Sequence, residues 1–290
     1  MSHTFKTIAL IGKYSSPEIS APLLRLARFL EERHYNVVVA RQTAETIGSA
    51  GYPMANLSEI GEVADLAVVL GGDGTMLNIA RNLVAFRVPL VGINQGRLGF
   101  LADVSVEIML DTMDEMLAGR FNSEERILLR AEIRRGNEKV FDACALNDVV
   151  VNKGNIGRLI EMETVIDGEF VNSQRADGLV VATPTGSTAY ALSAGGPILH
   201  PSLEVIVLVP ICPHTLAARP IAVSGRSTVE IMVINADDAR VHFDGQRHFD
   251  LRKGDRVIIQ RAENTVRLLH PVGHSYYDML RQKLHWGEKL

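Results

Sequence analysis

The sequence predicts an α/β N-terminal domain with a parallel sheet, followed by a β-rich (α+β) C-terminal domain. Three observations predict it. Short apolar runs alternate with helical spacing over the first 120 residues, and the texture turns strand-like after Ile127. The length, 290 residues, exceeds one average domain.

Thr7 to Gly12 (TIALIG) is a short apolar run closed by glycine. Leu23, Leu26, Ala27 and Leu30 then repeat at helical spacing, and Asn36 to Ala40 (NVVVA) is apolar again. Asp65 to Leu70 (DLAVVL) runs straight into a glycine-rich turn, after which Thr75 opens a helical pattern. Pro89 to Ile93 is a further strand and Ile108 to Leu117 a further helix. Strands apolar on both faces, alternating with helices, mean a parallel sheet covered on both sides, with ligands expected beyond the strands' carboxyl ends.

Beyond Ile127, a hairpin signal stands at Asp167-Gly168 and further turn candidates at Asp244-Gly245 and Gly254-Asp255, in keeping with an antiparallel domain. Ser275 to Leu284 is helix-like again. The expected division is therefore 1–122, 123–272 and a helical tail, 273–290, packing back on the first domain.

Composition narrows the function. With 47% hydrophobic residues and a mean hydropathy of +0.10, the chain can bury a substantial core. Lysines and arginines number 30 against 34 acids, a net −4, which argues against a general nucleic-acid or membrane-surface binder. Two cysteines, Cys144 and Cys212, are too few for a disulfide framework and have no metal-ligand spacing. The N-terminus lacks a signal-peptide apolar stretch, and no run approaches the roughly 18 residues of a membrane span. A cytoplasmic protein is expected.

The turn Leu70 to Met76 reads LGGDGTM. It fits neither the Walker A string nor the Rossmann fingerprint, since Leu77 stands where the third Rossmann glycine belongs. Three roles are open to Asp73: holding a metal that bridges phosphates, accepting a proton from an attacking hydroxyl, or bracing the turn. A second glycine segment, NQGRLGFL, reads as a lid with Arg97 facing phosphates, or as a loop docked on the core. A third stretch, QRADGLVVATPTGSTAYALSAGGP, sets Thr183, Thr185, Ser187, Thr188 and Ser193 beside an apolar strand. Hydroxyls bond sugars and bases without charge cost, and Tyr190 offers a ring for stacking. Asn147 and Asp148 put an amide and a carboxylate together at a strand entrance.

In order, LGGDGTML, GINQGRLGFL, LNDVV, SQRADGLVVATPTGSTAYALSAGGPIL and LVPICPHTLAARP resemble the NAD kinase family over essentially the whole chain. GGDGT alone is shared with lipid kinases; TPTGSTAY is far more specific. The resemblance implies transfer of the γ-phosphoryl of ATP to the 2′-hydroxyl of the adenosine ribose of NAD+, giving NADP+, with Asp73 as proton acceptor. It implies substrate contacts at Gly72, Gly74 and Thr75 in the first turn, and at Asn94, Gly96 and Phe100 in the second. Asn147 and Asp148 match the pair that holds the ribose and adenine region, although many members read Asn-Glu there. Arg158, Arg175 and Asp177 fall where the family contacts the dinucleotide. Thr188, Ala189, Tyr190 and Ser193 match its adenosine-side loop, and Gln246 a late contact. The family also implies a divalent cation, Mg2+, carried mainly by ATP phosphates with no protein metal ligand. A homodimer or homotetramer is expected, without nucleic-acid or membrane partners. The competing readings are a lipid or sugar kinase, and a dinucleotide sensor that forms no NADP+.

Overall fold

The structure, a computed structural model, describes residues 5–13, 17–47, 51–96, 98–154 and 158–286. The chain divides into two compact units, 1–125 with 266–290, and 126–265.

The first unit begins β1 (Thr7–Gly12), α1 (Ser20–Glu32), β2 (Asn36–Ala40), α2 (Arg41–Ile47), β3 (Met54–Ala55) and α3 (Leu57–Val63). It continues with β4 (Leu66–Leu70), α4 (Asp73–Leu83), β5 (Leu90–Asn94), β6 (Val104–Ser105), α5 (Met109–Leu117) and β7 (Phe121–Arg126). The main sheet path is ordered β3-β2-β1-β4-β5, then the chain's last strand, then β7, with β6 also on β5. The β1, β2, β3, β4 and β5 pairings are parallel, as the alternating pattern predicts. Every residue of β4 and β5 is buried, which accounts for their unbroken apolar runs. Chain order runs outward from β1 one way and from β4 the other. The strand order therefore reverses between these neighbours, and the glycine turn after Leu70 sits at that switch point.

The second unit holds β8 (Leu129–Arg135), β9 (Glu138–Ala145), β10 (Asp148–Lys153), β11 (Ile160–Ile166), β12 (Glu169–Ala176) and β13 (Gly178–Ala182). After them come α6 (Tyr190–Ser193), β14 (Val205–Ile211), β15 (Ile221–Ser224), β16 (Val229–Asn235), β17 (Ala239–Phe243), β18 (Arg247–Leu251) and β19 (Arg256–Arg261). These form two six-stranded sheets, β15-β14-β13-β10-β17-β18 and β12-β11-β16-β19-β8-β9. Their inner faces share one core, with Val149, Val151, Leu179 and Val181 from the first sheet and Ile133, Ile231, Val257 and Ile259 from the second. Val150, Val180 and Val209 point the other way and pack under Ala191 of α6. That second covered face explains why DVVV and GLVVA do not alternate. Asp167-Gly168 and Asp244-Gly245 take positive φ at both residues and close the β11–β12 and β17–β18 hairpins, whereas Gly254, at φ 83°, turns the chain from β18 to β19, strands of different sheets.

The chain then returns. β20 (Val266–Pro271) pairs in parallel with β5, and α7 (Tyr276–Leu284) follows, capped by the Ser275 side chain. Assigning 123–272 to the β-rich domain is thus corrected at its far end, because Val266–Pro271 completes the first sheet. A single strand with a β-like sequence carries no mark of which sheet it joins.

Candidate functional site

The helix at the glycine turn starts earlier than its sequence pattern predicts. Gly72 is the N-cap and Asp73 the first helical residue, so Thr75 lies inside the first turn and no side chain caps this end. Gly72 itself has φ −94°, which any residue adopts, and a Cβ there would meet nothing. At Gly71 a Cβ would come within 2.6 Å of the Thr75 hydroxyl.

The surroundings of Asp73 answer part of the question its position raises. Its Oδ1 accepts N–H bonds from Leu101 (2.9 Å) and Ala102 (3.2 Å), and Oδ2 accepts one from Phe100 (2.9 Å). The carboxylate therefore braces the NQGRLGFL segment, a different loop from its own. Two glycines allow this. A Cβ on Gly99 would overlap the Asp73 carboxylate, and one on Gly92 would lie 2.5 Å from the Leu101 carbonyl passing over β5. Asn94 is 3% exposed and works within the same loop, donating to the Ala102 and Val104 carbonyls and accepting from Gly96 N–H. Gly74 and Gly96 are exposed on this edge, and Phe100 is half-buried. Arg97, expected to face phosphates, lies outside the described residues.

In the second unit, a cavity of about 340 Å3 is lined by Asn147, Asp148, Ala189 and Tyr190, four of the residues the sequence singles out. Asn152, His242 and Asp244 join them. Sequence reasoning missed these three. The signals were slight: Asn152 and His242 sit at alternating strand positions, and Asp244 was legible only as half of a turn. Asp244 in fact folds its carboxylate back to accept the N–H groups of Leu146, Asn147 and Asp148. Burial, and then the Asp244 charge, push the Asp148 carboxyl up to about 7. Burial and the neighbouring His248 and Arg240 hold His242 below the usual histidine range.

The hydroxyl-rich stretch is largely spent on its own architecture. Thr183 and Ser187 are fully buried; Thr183 donates to the Leu146 carbonyl (2.6 Å) and Ser187 to that of Pro184 (2.6 Å). A Cβ on Gly186 would approach within 2.7 Å of the Asn147 Cα, so this glycine lets the two segments touch. Thr188 donates to the Thr185 carbonyl, while Tyr190 stands 44% exposed at the cavity.

The remaining expected contacts lie outside the cavity lining. Arg158 is a surface group paired with Asp237 at 3.0 Å, and Asp177 pairs with Lys153 at 2.7 Å. Arg175 is exposed on β12, Ser193 is exposed at the end of α6, and Gln246 is exposed in the turn after Gly245.

Among the described residues, one cluster of three could ligate a metal: Asp103, His270 and His274. Two nitrogens and one carboxylate do not suit Mg2+, which demands an octahedral set of oxygens. No helix among the described residues is long and apolar enough to cross a membrane.

Comparison with known proteins gives one answer throughout. Residues 8–121 match the ATP-NAD kinase N-terminal domain, and 146–271 its C-terminal domain. The NAD kinase of Thiobacillus denitrificans is 62% identical over 290 residues, all of both chains. That of Aromatoleum aromaticum is 57% identical, covering 99% of this chain and 96% of its own. Among solved structures, yeast NADH kinase complexed with NADH matches with a TM-score of 0.89 and 25% identity, over 100% of this chain and 93% of that one. An NAD kinase from Archaeoglobus fulgidus in complex with ATP matches at 0.74 and 27%, over 96% and 98%. With both domain types matched in order and relatives this similar end to end, the chain belongs to the NAD kinase family, phosphotransferases with an alcohol acceptor.

Proposed function

We propose that the chain transfers the γ-phosphoryl of ATP to the 2′-hydroxyl of the adenosine ribose of NAD+, and that Asp73 accepts the hydroxyl proton. The arrangement of the carboxylate carries this reading. An ionised carboxylate offers about four acceptor positions, and the loop N–H groups take two on Oδ1 and one on Oδ2. Among the described residues one position on Oδ2 is left, so Oδ2 is the atom to which a hydroxyl proton would pass. The three N–H bonds fix the oxygen's direction in advance, which is what a proton acceptor within hydrogen-bonding reach requires.

The cavity beside Asn147 and Asp148 supplies groups suited to the adenosine end. The Asn147 amide both donates and accepts, and Tyr190 presents an apolar ring. Asp148, with its carboxyl at about 7, exchanges between a donor and an acceptor near neutral pH. Gly72, Gly74, Thr75, Gly96, Phe100, Arg158, Arg175, Asp177, Thr188, Ser193 and Gln246 complete the contacts on this reading. Mg2+ belongs to the ATP substrate, where it offsets phosphate charge. The same reading puts the protein in the cytoplasm as a homodimer or homotetramer.

The test is Asp73→Asn, assayed with NAD+, ATP and Mg2+ and read through an NADP+-specific dehydrogenase. Turnover should be abolished while NAD+ affinity, measured by calorimetry, stays within about threefold, because the lost interaction belongs to the transition state. Near-normal turnover would remove Asp73 from the role.

A further inference from the structure

Asp103, a residue with no part in the reading above, sits directly after the three N–H donors that hold Asp73. Its side chain is 2% exposed, and its Oδ2 lies 2.8 Å from Nδ1 of His270 and 2.8 Å from Nδ1 of His274. His270 is itself buried, with Nε2 3.3 Å from the Glu124 carboxylate, and the two imidazoles stack at 4.2 Å and 14°. His270 stands on β20 and His274 in the turn beyond it. The other oxygen, Oδ1, is buried without a hydrogen-bond partner among the described residues.

We propose that Asp103, gripped by His270 and His274, is a positioning residue for phosphoryl transfer, anchoring the 99–103 segment whose backbone N–H groups aim the Asp73 carboxylate. The proposal rests on Asp73 being the proton acceptor.

A loop can hold a charged oxygen in place only if the loop is itself held. On one side, Ala102 is fixed by its carbonyl, which accepts from Gly99 N–H (2.9 Å) and the Asn94 amide (3.2 Å). On the other, the next residue is tied to β20 through His270 and to the turn beyond it through His274. A buried carboxylate is expensive unless its charge is met by donors. Burial acts to raise the Asp103 carboxyl; hydrogen bonds and charge from His270 and His274 outweigh it and bring the group down to about 2. With Oδ1 unpartnered, the two histidines carry that compensation. Loss of either leaves the buried carboxylate with one histidine donor instead of two and loosens Asp103, with Ala102 beside it. The ligand atoms of the three side chains lie within 4.8 Å of one another, so metal content is the measurement that separates the anchor from a metal centre.

His274 is the position to test, because its side chain is 16% exposed and its removal disturbs the core least. In His274→Ala, kcat should fall about tenfold with the KM for NAD+ within about twofold, since displacing a reacting group by a fraction of an ångström costs turnover. Amide hydrogen exchange across 100–102 should quicken about tenfold as the N–H bonds to Asp73 loosen. His274→Asn, whose amide nitrogen stands near the place of Nδ1, should restore most of both. Unaltered exchange, a rise in KM alone, or a loss of activity matching only the unfolded fraction would overturn the proposal. So would about one zinc ion per chain in protein purified without chelator. Near-normal turnover in Asp73→Asn sinks the proton-acceptor assignment instead; a dead Asp73→Asn beside an unimpaired His274→Ala sinks the anchor alone.

Discussion

Asp148→Asn separates the cost of burying a charge from the use made of it. The Asp148 side chain is at the entrance of β10, 4% exposed, and Asp244 lies close enough for its charge to add to the effect of burial. The carboxyl is raised from 3.8 to about 7. A raised carboxyl means that the folded chain binds more protons than the unfolded chain between those two values, so stability falls as pH rises through the window. The penalty is absent below pH 3.8, grows through pH 5 and 6, and is complete above pH 7. Its ceiling is the shift of about 3 units multiplied by 1.36, or about 4 kcal/mol. Asparagine keeps the shape and carries no charge. Urea unfolding followed by far-UV circular dichroism should show the variant more stable by about 2–4 kcal/mol at pH 8, and by about 1–2 kcal/mol at pH 5. An equal gain at both pH values, or a loss at pH 8, would refute the reasoning. The affinity for NAD+ should also vary between pH 6 and 8 in the wild type and flatten in the variant.

Two further outcomes follow from close contacts. Gly99→Ala drives a methyl group into the Asp73 carboxylate, so kcat should drop by about 100-fold with little change in melting temperature, read in the coupled NADP+ assay. Arg135 meets the fully buried Asp255 through Nε at 2.9 Å and Nη2 at 2.8 Å. Arg135→Ala should then lower the unfolding free energy by about 3 kcal/mol, because Asp255 is left charged and short of donors, while the KM for NAD+ stays fixed.

What could be read from the sequence, and what could not, divides along physical lines. Periodicity revealed β1, β2, β4 and β5, because a parallel sheet buried on both faces imposes unbroken apolar runs. The Asp-Gly dipeptides revealed the turns of two hairpins, β11–β12 and β17–β18. The short helices α2 and α3 went unseen, at seven residues each too brief to show an apolar stripe. β20 was visible as a strand but its sheet was not, since pairing with β5 is a long-range event with no local signature. The cavity was half legible. Asn147, Asp148, Ala189 and Tyr190 stand in motifs, whereas Asn152 and His242 are spaced like any strand residues and meet the others only through the β10–β17 register, Val150 opposite His242.

The aspartate set among three glycines shows why residue type alone left its role open. A carboxylate after a buried strand was expected either to meet a substrate or to brace its own turn. It braces, but across to residues 100–102, and the steric room it needs comes from Gly92 and Gly99, outside the motif that drew attention to it. Bracing and proton acceptance are compatible because the bonds are shared unequally, two on Oδ1 and one on Oδ2. The loop that consumes three acceptor positions also decides which oxygen keeps a fourth. An aspartate held only by its own backbone would swing about χ1 and lose that choice. The position therefore depends on the second glycine segment as much as on the first, and a substitution in either should cost turnover before it costs stability.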